Sequence, residues 1–212
     1  MKHYVIQKFF VDGPIGKLET ILGEPESAPI GIAIIAHPHP LHGGTMENKI
    51  IHTLFHSLLE LGFIAVKFNF RGVGESEGIF DNGIGEIEDT VTVTNAIRSQ
   101  YSNHLPRMPL LLAGFSFGGG IQLHAAVELN PEYLVLVAPS VKNLNAPSVQ
   151  EQTKQVLIIH GEHDEIVSIK TILDWAAPQS LPVVIIPGAE HFFHGKLPVL
   201  KRAILNFNSY KL

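Results

Sequence analysis

Apolar residues fall along this chain in two rhythms. YVIQKFFV and GKLETILG lie on either side of a DGP turn, and the second alternates apolar with polar positions as a half-buried strand does. The pair predicts a hairpin at the edge of a sheet. Four later runs, GIAIIA (31–36), FIAVKFNF (63–70), PLLLAG (109–114) and YLVLVA (133–138), do not alternate, and two more follow at QVLIIHG (155–161) and PVVIIPG (182–188). A strand that is apolar on both sides belongs in a parallel sheet covered on both faces. The stretches between the runs, NKIIHTLFHSLLELG, IGEIEDTVTVTNAIRSQY, GGIQLHAAVEL and KLPVLKRAILNFN, carry helical spacing. Strand and helix therefore alternate, which predicts an α/β fold: a mainly parallel sheet of about eight strands with helices on both faces. Residues 84–101 are the weakest helix by propensity, being rich in Thr and Val, but their Glu-rich start suits a helix N-terminus.

Composition narrows the classes. A chain of 212 residues with 45% hydrophobic and 17% charged residues is expected to fold as one domain, 1–212, rather than stay disordered. Fifteen Lys and Arg against 20 Asp and Glu give a net charge of -5 without basic blocks, so nucleic acid is not an expected partner. Cysteine is absent, which excludes disulfides and a Cys nucleophile. The N-terminus MKHYVIQKFFVDGP is too briefly apolar for a signal peptide, and no run approaches the roughly 18 apolar residues of a membrane span. A cytoplasmic protein acting on a small molecule, with no membrane partner, is the expectation. Oligomeric state is not written in the sequence.

In open α/β sheets the ligand crevice lies at the carboxyl ends of the strands. After the 109–114 strand comes Gly114-Phe115-Ser116-Phe117-Gly118-Gly119-Gly120, a G-x-S-x-G nucleophile elbow in the required strand-turn-helix setting. The glycines two positions either side of Ser116 leave room where strand and helix nearly touch. Gly74-Glu75-Ser76-Glu77-Gly78 matches the same pattern, but no helix follows it, and two carboxylates beside Ser76 would oppose a developing oxyanion. Ser116 is favoured. A serine needs a base, and the base an orienting acid. Asp164 follows the 155–161 strand and His191 follows the 182–188 strand, giving the chain order serine, acid, histidine. Glu162 and Glu165 are rival acids; Glu162 adjoins its strand and suits a turn cap, whereas Asp164 precedes the apolar Ile166-Val167 that can anchor its loop. His194 is the rival base.

The segment His37-Pro38-His39-Pro40-Leu41-His42-Gly43-Gly44 follows the 31–36 strand, where a second oxyanion amide is sought. Pro38 and Pro40 have no N–H, which leaves His39 as the favoured donor with Leu41 behind it; the Phe117 N–H supplies the other half. Histidines at 37, 39 and 42 also raise a metal site, but no partner at ligand spacing closes the set, so no metal is expected. His52 and His56 stand i, i+4 among apolar residues expected to face the core and lack the Glu of a zinc helix. Phe115, Phe117, Phe192 and Phe193 flank the candidate residues and lean towards pocket lining over core packing. The glycine runs match neither nucleotide fingerprint, so no cofactor is expected.

GFSFGG, GEHDEIV, GAEHFFHG and RGVGESEG together resemble the α/β-hydrolase superfamily. HPHPLHGGTMENK, RGVGESEG and GFSFGG more narrowly resemble a family of small bacterial predicted hydrolases or esterases, related to dienelactone-hydrolase-like and acyl-peptidase-like enzymes. The resemblance implies a nucleophile at Ser116, an acid at Asp164, a base at His191 and oxyanion amides at Phe117 and His39. Larger relatives insert a cap between the sixth and seventh strands, whereas here Pro139 to Lys154 is short and polar, so no cap domain and an open site are expected. The implied activity is that of a carboxylesterase-like serine hydrolase cleaving small to medium acyl esters. A thioesterase, peptidase or lactonase on the same residues is the alternative, and a binding protein on the same fold is a further one.

Overall fold

The structure is a computed structural model that describes residues 4–102 and 108–209. Strands β1 (Tyr4–Asp12) and β2 (Lys17–Pro25) pair antiparallel, from Tyr4 opposite Pro25 to Asp12 opposite Lys17, and the turn closes with Gly13 N–H donating to Gly16 O at 2.8 Å. β1 is the sheet's edge and is largely exposed. The runs without alternation become β3 (Gly31–Ala36), β4 (Phe63–Phe68) and β5 (Leu110–Phe115), buried at every position, followed by β6 (Tyr133–Val137), β7 (Gln155–Gly161) and β8 (Val183–Ile186). One eight-stranded sheet runs in the order β1-β2-β4-β3-β5-β6-β7-β8. β2 pairs antiparallel with β4, and every pairing from β4 to β8 is parallel.

Because successive side chains of a strand point to opposite faces, each central strand feeds two cores. Ile32, Ile34, Ile64 and Val66 pack with Val93 and Ile97 of α2 (Ile84–Tyr101), Ile121 and Ala125 of α3 (Phe117–Leu129) and Ile172 of α4 (Ile169–Ala176). Ala33, Ile35 and Ala65 pack on the other side with Leu54 and Leu58 of α1 (Lys49–Glu60) and Leu200 and Ile204 of α5 (Leu197–Leu205). The expected α/β fold with both faces covered is present.

The details depart from the pattern in informative places. α2 holds despite its Thr and Val content: Thr90 Oγ1 and Thr94 Oγ1 donate to the carbonyls one turn back, and Glu86 accepts the Gly83 N–H at 2.7 Å at the start. α3 begins at Phe117, directly after the candidate nucleophile. α4 is not among the predicted helices, although Ile169, Ile172, Leu173 and Ala176 stand at helical spacing; only Ile172 and Ala176 of its eight residues are buried. His52 and His56 lie on the outer side of α1 rather than among core residues, and His52 pairs with Glu47 at 2.6 Å. No helix occurs between β6 and β7, so no helical cap stands over the crevice from that connection. No helix of the described residues is long and apolar enough to cross a membrane.

Candidate active site

The turn between β5 and α3 places Ser116 at φ 55°, ψ −118°, a backbone conformation rare for a residue with a side chain. It persists because its surroundings over-determine it. Ser116 N–H donates to Val137 O at 2.9 Å, and Ser116 O accepts from the N–H of Ser140 at 2.9 Å and Gly120 at 3.2 Å. A Cβ on Gly114 would lie 2.5 Å from Gly118 backbone, and one on Gly118 would lie 2.2 Å from Ala36 O. Strand, turn and helix thus touch at these two glycines, and neither position has room for a side chain.

Ser116, Asp164 and His191 come together at the carboxyl edge of the sheet. His191 Nε2 lies 3.0 Å from Ser116 Oγ, and His191 Nδ1 lies 2.7 Å from Asp164 Oδ2. An ionised carboxylate only accepts, so Nδ1 carries the imidazole proton and Nε2 offers its lone pair to the Ser116 hydroxyl. Asp164 Oδ1 accepts the Ile166 and Val167 N–H groups at 2.9 and 2.8 Å, which fixes the carboxylate in its turn. Burial pushes the Asp164 carboxyl up, but the hydrogen bonds from His191 and Val167 outweigh it and hold it below the ordinary carboxylate range. All three residues are less than one-tenth exposed.

The rivals stand elsewhere. Ser76 is buried in a loop where its Oγ donates to Asn69 O at 2.7 Å and accepts from Glu19 N–H at 2.9 Å, a structural bridge between β2 and the loop after β4. Glu162 accepts the Gly188 N–H at 2.8 Å, the turn-capping position foreseen for it. Glu165 is exposed. His194 faces solvent and pairs with Glu190 at 3.0 Å. Of the two anchors expected beside Asp164, Val167 is buried and Ile166 is exposed. Phe115, Phe117 and Phe193 are buried core residues and Phe192 alone of the four is substantially exposed, which corrects the pocket-lining expectation for this group.

On the loop after β3, the Leu41 N–H donates to His39 Nδ1 at 3.2 Å, while the N–H groups of His42 and Gly44 donate to His39 O at 3.1 and 3.0 Å. The His39 N–H has no partner among the described residues. The Phe117 N–H likewise has none, as the first position of a helix dictates. The two residues adjoin: the His39 and Phe117 rings lie 4.8 Å apart between centroids.

Of the buried histidines, His160 alone drew no reading from the sequence. His160 lies in β7 and donates from Nε2 to Val167 O at 2.8 Å, bracing the turn that carries Asp164. Burial lowers its basicity, opposed by that same bond. The signal available was a polar residue inside an otherwise apolar strand.

Residues 39–156 match the family described as serine aminopeptidase, S33. An uncharacterized protein of Rickettsia prowazekii strain Madrid E is 30% identical, over 94% of this chain and 87% of its own. Among solved structures, an α/β serine hydrolase homologue from Coxiella burnetii is 39% identical with a TM-score of 0.83, covering 94% of this chain and 96% of that one. An α/β serine hydrolase without a lid from Xanthomonas campestris is 36% identical with a TM-score of 0.86, covering 96% and 94%. By its family match, its strand order and the absence of a helix between β6 and β7, the chain belongs to the α/β-hydrolase superfamily, within the serine aminopeptidase S33 family, and is built without a lid.

Proposed function

We propose that the protein is a serine hydrolase that cleaves small to medium acyl esters through an acyl-enzyme. The observation that carries this reading is the single imidazole of His191 bridging Ser116 and Asp164 at 3.0 and 2.7 Å. His191 Nε2 takes the Ser116 proton as Oγ attacks the ester carbonyl carbon. The tetrahedral oxyanion accepts from the N–H groups of Phe117 and His39, and Asp164 steadies the imidazolium. Collapse breaks the bond to the alkoxy group, which leaves with the proton from His191. Water then attacks the acyl-enzyme by the same route and frees Ser116 and the acid. With no helical cap between β6 and β7, the site suits a small to medium acyl group better than a long chain, which needs a buried tunnel.

Ser116→Ala is expected to abolish hydrolysis of p-nitrophenyl acyl esters and labelling by a fluorophosphonate, with an unchanged thermal midpoint. Retained turnover in that variant overturns the assignment. A peptidase reading is favoured by the description of the matching family. It predicts faster cleavage of aminoacyl p-nitroanilides than of acyl esters, and a panel of both decides between the two.

A further inference from the structure

The loop after β3 holds a histidine that the mechanism above does not use. His37 is fully buried, and its two ring nitrogens have different jobs. Phe70 N–H donates to Nε2 at 3.1 Å, so Nε2 carries no proton. The imidazole proton therefore sits on Nδ1, which lies 2.6 Å from Pro38 O and donates to it.

That donation orients the next peptide. No cis peptide bond occurs among the described residues, so the Pro38 C=O and the His39 N–H point in opposite directions across one rigid plane. Drawing the carbonyl in towards His37 turns the N–H outwards. Between Pro38 and Gly44 the other amides are either absent, at the prolines, or already engaged within the loop or with the His39 side chain, and the His39 N–H alone is left without a partner among the described residues. The same stretch is clamped against the nucleophile turn, because a Cβ on Gly118 would strike the carbonyls of both Ala36 and His37. We infer that His37 is a positioning residue for transition-state stabilisation: its Nδ1–H locks the Pro38–His39 peptide so that the His39 amide faces the oxyanion beside the Phe117 amide.

The inference rests on the acyl-transfer reading above. Burial holds His37 well below the usual histidine range, at about 4, against the pull of the Pro38 carbonyl, so the neutral Nδ1–H form persists under ordinary conditions. A neutral imidazole can accept from Phe70 and donate to Pro38 at once. An imidazolium would present two donors and set Nε2–H against the Phe70 N–H.

Three measurements test it. In the unmodified protein, nitrogen NMR of the His37 imidazole is expected to report protonated Nδ1 and bare Nε2 at pH 6; an Nε2-protonated or charged ring overturns the proposal. His37→Leu is expected to lower kcat by roughly 10-fold to 100-fold with KM changed by less than about threefold, since the donor is displaced rather than deleted. The ratio of ester to thionoester turnover should fall with it, because sulfur already forgoes much of the oxyanion hydrogen bond. His37→Asn, whose side-chain amide can donate to the Pro38 carbonyl, should recover most of kcat and of that ratio. It also serves as the kinetic test where the leucine variant fails to fold. A folded His37→Leu with normal kcat, or a loss of kcat in either variant with an unchanged ester-to-thionoester ratio, reduces His37 to a packing residue. Failure of the site reading would appear separately, as turnover surviving in Ser116→Ala.

Discussion

Asp164 and Glu162 stand two residues apart at the end of one strand, and their hydrogen bonds give them different work. Asp164 holds the imidazole of His191, whereas Glu162 holds the Gly188 N–H of a neighbouring turn and pairs with the exposed His163. Asp164→Asn keeps the shape but can present a donor to Nδ1, which favours the wrong tautomer of His191, and kcat is expected to drop by about 10³-fold to 10⁴-fold. Glu162→Gln should leave kcat within about twofold, since the amide oxygen still accepts from Gly188. Equal losses in steady-state kinetics would undo the acid assignment. His37 makes a second prediction, on stability. Its pKa is lowered on folding from 6.5 to about 4, so between those values the unfolded chain binds a proton that the folded chain refuses. The stabilising contribution is complete above pH 6.5 and is lost as pH falls towards 4, by an amount on the order of 3 kcal/mol. Urea midpoints taken across that window should fall more steeply for the unmodified protein than for His37→Asn, and parallel curves would contradict the depressed value.

At the level of elements, the loop after β4 is tied to α2 by a buried ion pair. Arg71 Nε and Nη2 donate to Asp89 at 3.0 and 2.8 Å, and the Arg71 backbone N–H donates to the same carboxylate at 2.9 Å. Asp89 is fully buried, so Arg71→Ala would strand a charge inside the protein and should destabilise it by about 3–5 kcal/mol. Replacing both partners, as Arg71→Met with Asp89→Leu, should recover part of that loss in urea denaturation; no recovery would mean that the side chains matter through shape instead. The buried strands were legible as continuous apolar runs and α1 and α5 by their amphipathic period, whereas α2 and α3, which carry almost no such period, were legible by their place between strands. α4 went unread because its eight residues give barely two turns, although Ile169, Ile172, Leu173 and Ala176 stand at helical spacing and Ser168, whose side chain accepts from the Thr171 N–H, offers a cap signal. The prolines singled out the His39 amide in advance, but that the Leu41 amide is taken by the His39 ring depends on the folded turn. His160 escaped notice because the carbonyl it meets, at Val167, reaches it only once the acid turn closes. The glycines at 114 and 118 could be understood from sequence because close approach leaves no other residue type room.

Across the whole molecule, the chemistry gathers at one edge of the sheet from residues far apart in the chain: Ser116 and His191 are separated by 75 positions, Asp164 and His191 by 27. The connection from β6 to β7 divides them. In the proposed mechanism, the part before it supplies the nucleophile and the oxyanion amides, and the part after it supplies the acid and the base. Glu151 and Gln152 are exposed on that connection, in a turn with no helix around them. Chain cleavage there would yield two pieces, one carrying a serine with no base and the other a base with no serine. A protein nicked between Glu151 and Gln152 should stay active while its halves remain packed, fall silent when urea parts them, and regain ester turnover on dilution at a rate proportional to the product of the two fragment concentrations. Recovery independent of concentration would mean the halves never separated. On this expectation a connection without a lid would make the hydrolase divisible, and its activity would become a reporter of two strangers meeting.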